Sequence, residues 1–272
     1  MINRSLIRKS LWSGVGHRPN IPVNSTTLIN TENQNDFLYK IQFQKVKPEC
    51  HQAYKDLYNE YLPKIIANQG QNARKEYVGS WMTWYGAQDE AIHLWRYKGN
   101  YGSHKFSKSD KSKSEDADYI KFREERGKMI DIRRNDLIFE FGFSPQIKAF
   151  QNWQEEQQKK SGLKFDENLI YEVRSYELKP GTLTKWVAEW NQVFNSRMRG
   201  QDGEFVGGFF TDIGKLNTIY YIWAYKSLED RKIVRDKCWQ NPDWANVVID
   251  TQKICRNMSS QIMLPMECSR LQ

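Results

Sequence analysis

Apolar and polar residues alternate at positions 39–43, where every second side chain is tyrosine, isoleucine or phenylalanine. This two-residue period predicts a half-buried β-strand. The period changes after Pro48, a residue type that favours the first turn of a helix. From 53 to 66 apolar residues recur every three or four positions, and this spacing predicts an amphipathic helix.

Two runs of β-branched and aromatic residues follow, at 77–85 and 91–97. Because a short connection joins them, they predict a β-hairpin. A charged helix is predicted over about 115–134, with Ser112 or Ser114 as its N-cap. The first part of the chain therefore contains one strand, one helix, a hairpin and a second helix.

A strand predicted over 137–143 completes the order β-α-β-β-α-β, and this order then repeats. Residues 38–48 return as 170–180, and residues 76–98 return as 204–226 without a gap. A period of about 130 residues is far longer than the roughly 20 to 50 of a solenoid repeat. The pattern therefore indicates two copies of one domain.

In the second copy the helix is predicted over 183–194, further helices over 228–239 and 244–256, and the last strand over 261–264. The order of elements in each copy is that of the ferredoxin-like motif, a four-stranded antiparallel sheet with helices on one face. The predicted fold class is therefore α+β, with two tandem ferredoxin-like (βαββαβ) domains.

Aromatic residues occupy both alternating sets of positions in the hairpin strands, so both faces of each sheet must be covered. Helices cover one face, and we expect the two sheets to cover each other as an intrachain dimeric α/β barrel. Candidate residues for a pocket between the sheets are His93, Trp95, Tyr97, Glu172, Arg174, Trp223 and Tyr225. The alternative is structural: His93 as a buried barrel residue and Glu172 with Arg174 as an ion pair.

The start of the chain has a different composition from the rest. Residues 1–35 are predicted to be a mitochondrial transit peptide with a disordered lead-in, because their basic, acid-free first part matches such leaders. A disordered basic tail is the alternative. The first domain is then expected at 36–144, a linker at 145–168 and the second domain at 169–272.

The net charge of +8 does not indicate a nucleic-acid-binding protein, because half of it comes from Arg4, Arg8, Lys9 and Arg18.

The longest apolar run, 219–225, is far shorter than the roughly 18 residues of a membrane-spanning helix. The four cysteines lie far apart, which predicts free thiols rather than a zinc site or a disulfide framework.

No known catalytic motif is found in the sequence. The patterns of P-loops, serine hydrolases and zinc peptidases do not occur. The four histidines are predicted in four different kinds of segment, so they do not form an obvious metal site. We therefore expect no metal, no cofactor and no enzymatic activity.

A set of short segments matches, in order, the sequence pattern of a known family. They are 38–43, 81–86, 93–96, 122–126, 171–176, 178–181, 206–210, 223–225 and 262–265. On these segments the chain resembles the NIPSNAP family from about residue 36 to residue 272.

This resemblance implies a barrel of two tandem domains and a mitochondrial, non-enzymatic adaptor. It implies import into the matrix in healthy mitochondria and retention on the outer surface when import fails. There the protein would mark damaged mitochondria for mitophagy by recruiting autophagy receptors and ubiquitin-like autophagy modifiers. Matrix proteins are the expected partners of the imported form, and a homo-oligomer is possible.

Two other functions remain open at this point. Related barrels include enzymes and haem proteins that use the cavity between the sheets, so a barrel enzyme or a small-molecule-binding protein is one alternative. The other is an interaction module at membranes or vesicles, since the lysines within residues 103–114 suit peripheral contact with an anionic surface.

Overall fold

The computed structural model describes residues 37–68, 75–99, 101, 116–143, 147, 150–152, 154–155, 169–198 and 204–271. The predicted transit peptide, the serine caps of the second helix and the lysine-containing loop lie outside these residues. Most of the predicted linker also lies outside them.

The described residues form the predicted order of elements in both halves. The first half contains β1 (Leu38–Val46), a 3-10 turn (Pro48–Cys50), α1 (His51–Ala67), β2 (Lys75–Tyr85), β3 (Glu90–Tyr97), α2 (Ala117–Met129) and β4 (Ile130–Glu140). The second half contains β5 (Ile170–Leu178), α3 (Leu183–Met198), β6 (Glu204–Ile213), β7 (Thr218–Tyr225), α4 (Leu228–Trp239), α5 (Pro242–Gln252) and β8 (Cys255–Pro265).

The two hairpins turn at equivalent glycines. Gly86 has φ of 118° and Gly214 has φ of 121°, a region that side chains with a Cβ rarely adopt. Asp89 and Asn217 also have positive φ, and these residue types tolerate that conformation better than most. These residues thus determine where the first strand of each hairpin ends and the second begins.

The last strand of each half begins earlier than predicted. β4 starts at Ile130, inside the predicted helix, and β8 starts at Cys255 rather than at Gln261. The reason is strand pairing, because β4 pairs with β1, and β8 with β5, along nearly the whole length of β1 and β5. The added residues are mostly exposed, so no alternation of apolar residues predicted a strand there.

The N-cap of α2 also differs from the predicted serines. Asp116 is the cap, and its side chain accepts hydrogen bonds from backbone N–H groups of the first turn.

The eight strands close into one barrel in the order β1-β3-β2-β8-β5-β7-β6-β4. Two antiparallel contacts join the halves, β2 with β8 and β4 with β6. The predicted α+β fold, with two sheets joined as an intrachain barrel, is confirmed.

Side chains from both halves fill the barrel interior. Trp81 packs against Tyr171 with ring centroids 5.4 Å apart, and Tyr39 packs against Phe209 at 5.1 Å. All four side chains are buried completely. Two further cores lie outside the barrel wall, one between the first sheet and α1 and α2, the other between the second sheet and α3, α4 and α5.

A partly buried carboxyl group lies beside the residues of the barrel interior. Glu140 accepts a hydrogen bond of 2.7 Å from the Tyr39 hydroxyl and another of 2.7 Å from the backbone N–H of Ile147. Burial raises the pKa of Glu140 to about 7, although both hydrogen bonds favour the ionised form. The group therefore titrates near neutral pH in the folded protein.

Candidate functional site

The structure places the seven predicted pocket residues on the outer faces of the sheets, beneath the helices, and not in the barrel interior. Trp95 and Tyr97 pack in the first helix-covered core, and Trp223 and Tyr225 pack in the second. The predicted pocket between the sheets is therefore not formed by these residues. Alternation identifies two faces of a strand but not which one lies inside a barrel.

His93 lies in the core beneath α1, with 1% of its surface exposed. Its Nε2 is 2.7 Å from the Tyr54 hydroxyl, its Nδ1 contacts the Ser80 hydroxyl, and its ring stacks on Tyr58 at 4.5 Å. Burial, followed by the positive charges of Arg126 and Lys40, lowers the pKa of His93 to about 3. His93 is therefore a neutral, hydrogen-bonded core residue at physiological pH.

The other half contains a cavity at the corresponding place. It has a volume of about 80 Å³ and lies between the second sheet and the helices α3, α4 and α5. Its polar lining includes Arg174 and Arg235. Aromatic side chains form most of its wall: Tyr176, Trp186, Trp190, Tyr221, Trp223, Tyr225, Trp239 and Trp244.

The aromatic wall is held together by ring contacts between helices and sheet. Trp186 lies 4.8 Å from Tyr176 on β5 and donates a hydrogen bond of 3.2 Å to the Tyr221 hydroxyl on β7. Trp190 meets Trp244 of α5 edge to face at 4.9 Å. Trp186 and Trp190 stack at 5.3 Å, so stacked and edge-to-face contacts both occur in this wall.

An arginine network borders the cavity. The completely buried carboxylate of Glu172 accepts hydrogen bonds from Arg174 at 2.8 Å, from Arg231 at 2.7 and 3.0 Å, and from the Ser260 hydroxyl at 2.6 Å. Burial alone would raise the pKa of Glu172, but the hydrogen bonds from Arg231 and Ser260 and the charge of Arg174 together lower it to about 2. The predicted Glu172–Arg174 pair is present, and Arg231 completes it.

Arg235 is the remaining cation of this network. It follows Arg231 by one helical turn on α4, so both side chains lie on the same face of the helix. Burial, followed by repulsion from Arg174, lowers the pKa of Arg235. Among the described residues no carboxylate forms an ion pair with Arg235.

Sequence reasoning found Arg174, Trp223 and Tyr225, which line the cavity, and Glu172, which lies beside it. It did not identify the arginines of α4 as part of the site. A signal was present: Arg231 and Arg235 are four residues apart on a predicted helix. Which side of that helix faces the sheet depends on its docking angle, which a local pattern does not provide.

Within the described residues no group of three or more histidine, cysteine, aspartate or glutamate side chains is arranged to hold a metal ion. All four cysteines are free thiols. The chemistry available at the cavity is therefore cationic and aromatic: guanidinium groups, indole N–H groups and flat apolar surfaces.

Comparisons with known proteins show which sequences this chain is similar to. A family model described as NIPSNAP matches residues 171–270. NipSnap homolog 2 of Danio rerio is 39% identical over 255 residues, which cover 93% of this chain and 80% of that protein. NipSnap homolog 2 of Homo sapiens is 37% identical over 254 residues, with coverage of 93% and 81%.

A solved structure gives an independent comparison of the fold. An anthrone oxidase-like protein matches with a TM-score of 0.53 at 11% identity, over 86% of this chain and 92% of that one. At this identity the likeness concerns the fold alone. The sequence relationship is much stronger, and on it the chain belongs to the NIPSNAP family.

Proposed function

We propose that this NIPSNAP protein is a mitochondrial adaptor that marks damaged mitochondria for mitophagy, and that it is not an enzyme. In this proposal residues 1–35 direct import into the matrix, where the protein meets matrix proteins. A chain that is not imported stays on the outer surface and recruits autophagy receptors and ubiquitin-like autophagy modifiers.

The basic leader supports the import step of the proposal. Moving one charge across a membrane potential of 100 mV changes its energy by about 2.3 kcal/mol. Residues 1–30 contain four basic side chains and no acidic one. Such a segment makes import depend strongly on the membrane potential. Loss of the potential would therefore leave the protein outside the mitochondrion.

An uncovered strand edge is the observation that carries the adaptor role. β8 pairs with β2 only over Ile262–Pro265, while Cys255 and residues 257–261 pair with β5 on one side. Within the described part of the chain no strand pairs with their other side. An open edge of this kind can take up an extended segment of another protein through main-chain hydrogen bonds.

The composition of this edge also suits a partner. Natural proteins protect open edges with charged side chains or proline. Residues 255–261 contain one charged side chain, Arg256, and no proline, whereas the equivalent edge of β4 contains Asp131, Arg133 and Arg134. The β8 edge is therefore the better docking site of the two.

The filled barrel interior supports a role without catalysis. An enzyme that used the space between the sheets would need room there for a substrate. The described side chains occupy that space, since buried rings meet across it: Trp81 with Tyr171 and Tyr39 with Phe209. Separately, none of the described helices is long and apolar enough to cross a membrane.

The proposal is tested by proximity labelling of the chain with its own leader, before and after collapse of the membrane potential. We expect matrix proteins to be labelled before collapse and autophagy receptors after it. A set of labelled proteins that does not change would contradict the proposal. As a control, replacing Arg4, Arg8, Lys9 and Arg18 by glutamine should give the receptor pattern even in polarised mitochondria.

The docking edge is tested in the same assay. Ser259→Lys places a charge on the open edge and should lower receptor labelling several-fold after collapse. Gln240→Lys is the matched control, because it adds the same charge at the exposed C-terminal end of α4, where lysine is well tolerated. Equal labelling by both variants would show that the β8 edge is not the docking site.

A further inference from the structure

We propose that the cavity beneath α3, α4 and α5 binds a small carboxylate with a flat apolar body, such as an arylalkanoate. The carboxylate would meet the guanidinium groups of Arg174 and Arg235, and the ring would lie among the tryptophans. This inference does not depend on the adaptor role, because it concerns a different surface of the molecule.

The cavity has room for part of a small organic ligand, because it is smaller than the roughly 150 Å³ cavity that holds benzene; the rest of the ligand would extend toward solvent. Its volume of about 80 Å³ is well above the roughly 10–15 Å³ that one ordered water requires. Two of its lining residues, Trp239 and Met258, are 48% and 43% exposed, so the cavity wall reaches the protein surface there. A ligand can therefore enter from solvent without the barrel opening.

The charge at the cavity favours an anion. Arg174 and Arg231 are already paired with Glu172. Arg235 adds a further positive charge that the described carboxylates do not neutralise. Arginine stays protonated even where its surroundings disfavour the charge, so a bound anion would relieve the repulsion among the three guanidinium groups.

A carboxylate matches these groups in shape as well as in charge. The planar guanidinium group can donate two parallel hydrogen bonds to a carboxylate. A flat apolar body is favoured by the rest of the wall, where rings are arranged both edge to face and stacked. Inorganic phosphate would use the charge but leave the aromatic wall unused.

Trp190 adds a ring and a hydrogen-bond donor to the part of the wall formed by α3. Its side chain lines the cavity and only 4% of the residue is exposed. Its indole N–H is buried and has no hydrogen-bond acceptor among the described atoms. The indole N–H groups of Trp81 and Trp95, away from this cavity, also lack an acceptor, so the N–H does not by itself indicate a ligand. A small rotation of the ring would let it donate to a bound carboxylate.

The test is isothermal titration calorimetry of the full chain with three probes. We expect 3-phenylpropionate to bind to one site. Its uncharged analogue 3-phenylpropionamide should bind at least tenfold more weakly, because it lacks the charge. Inorganic phosphate should also bind at least tenfold more weakly, because it lacks the ring.

Variants locate the site. Arg235→Gln should weaken binding of 3-phenylpropionate at least tenfold, and Trp190→Phe, which keeps a ring but removes the N–H, should weaken it about threefold. Lys232→Gln is the matched control on the same helix, because Lys232 is exposed and paired with Asp236; its affinity should stay within twofold of the original.

Three results would overturn the proposal. They are no binding of 3-phenylpropionate at millimolar concentration, equal affinity for the amide or for phosphate, and equal affinity of the Arg235→Gln and Lys232→Gln variants. Circular dichroism and thermal melting of each variant establish that it is folded before its binding is compared.

Discussion

In the first half, polar side chains between helix and sheet form hydrogen bonds directly with one another. Tyr54 of α1 donates a hydrogen bond of 3.0 Å to Gln44 and lies 2.7 Å from His93. Tyr58 also donates to Gln44, at 3.3 Å, and stacks on His93. These contacts connect two strands and a helix through neutral groups.

In the second half, the equivalent positions of the repeat contain larger rings. Trp186 and Trp190 of α3 replace the two tyrosines, Tyr176 replaces the glutamine and Tyr221 replaces the histidine. Trp186 donates a hydrogen bond to Tyr221, and Arg174 donates one of 2.7 Å to Tyr176. The cavity lies beside these rings.

The charged positions differ in the same way. Gln42 of β1 corresponds to Arg174 of β5, and Lys40 corresponds to Glu172. Gln42 donates a hydrogen bond to the side chain of Asn135, whereas Arg174 borders the cavity. The comparison indicates that duplication preserved the barrel wall, while the helix-covered layer of one copy became a closed core and that of the other a cationic site.

The largest effect is expected from Glu172→Gln, which removes the buried negative charge from beside three arginines. Breaking a buried ion pair in this way typically costs about 3–5 kcal/mol of stability, and urea unfolding at pH 7 measures it. Glu177→Gln is the control on the same strand, since Glu177 pairs with Lys215 near the surface; surface pairs contribute about 0–1 kcal/mol. Similar losses in both variants would show that the arginine network is not a buried structural unit.

His93→Ala should destabilise the protein by about 2–4 kcal/mol, since it leaves a cavity in a packed core and removes the partner of a buried tyrosine. Binding of 3-phenylpropionate and labelling of receptors should both persist in the folded variant, because His93 belongs to the closed core of the other half. If this variant kept its fold but lost either property, the assignment of His93 as structural would be wrong.

The pH dependence of stability should separate the barrel carboxyl group from the histidine. The pKa of Glu140 is raised from 4.5 to about 7, so between these values the folded chain keeps a proton that the unfolded chain loses. Stability attributable to Glu140 therefore falls as the pH rises through this window, by up to about 1.4 kcal/mol per pH unit.

His93 acts in the opposite direction. Its pKa is lowered from 6.5 to about 3, so stability attributable to it is present above pH 6.5 and falls as the pH decreases below that value. In the Glu140→Gln variant only the contribution of His93 should remain. The free energy of unfolding of this variant should therefore fall more steeply than that of the unmodified chain as the pH decreases from 6.5 to 4.5. Urea unfolding at several pH values measures this, and identical slopes would contradict the assigned pKa of Glu140.

The smallest effect is expected from Trp190→Phe. The phenylalanine keeps an aromatic ring and removes a buried N–H that has no acceptor, so the two consequences partly offset and we expect a change within about 1 kcal/mol. Trp186→Phe removes a bonded N–H and should cost about 1 kcal/mol more. Thermal melting of the two variants compares them, and a greater loss for Trp190→Phe would indicate that its N–H has a partner.

Much of the fold was predictable because it depends on local periods and on the repeat. The alternation at Tyr39 and Ile41 and the helical spacing after Pro48 each arise from one element burying one face. The early starts of β4 and β8 were not predictable from these signals. The residues added at Ile130 and Cys255 become strand because a neighbouring strand extends past them, and that neighbour is distant in the sequence.

The site was predictable only in part, for a related reason. Arg174 and Trp223 were recognised as unusual side chains on strands, but the sequence did not show that they face helices and not the barrel interior. The contribution of Arg235 depends on how α4 docks on the sheet. Both features are decided by packing between elements, and neither leaves a local pattern in the chain.

The most direct test of the whole account is a crystal structure of the chain grown with 3-phenylpropionate. We predict one eight-stranded barrel with a filled interior, and ligand density beneath α3, α4 and α5 with its carboxylate at Arg174 and Arg235. Ligand density between the sheets, or two sheets that do not close into one barrel, would contradict it.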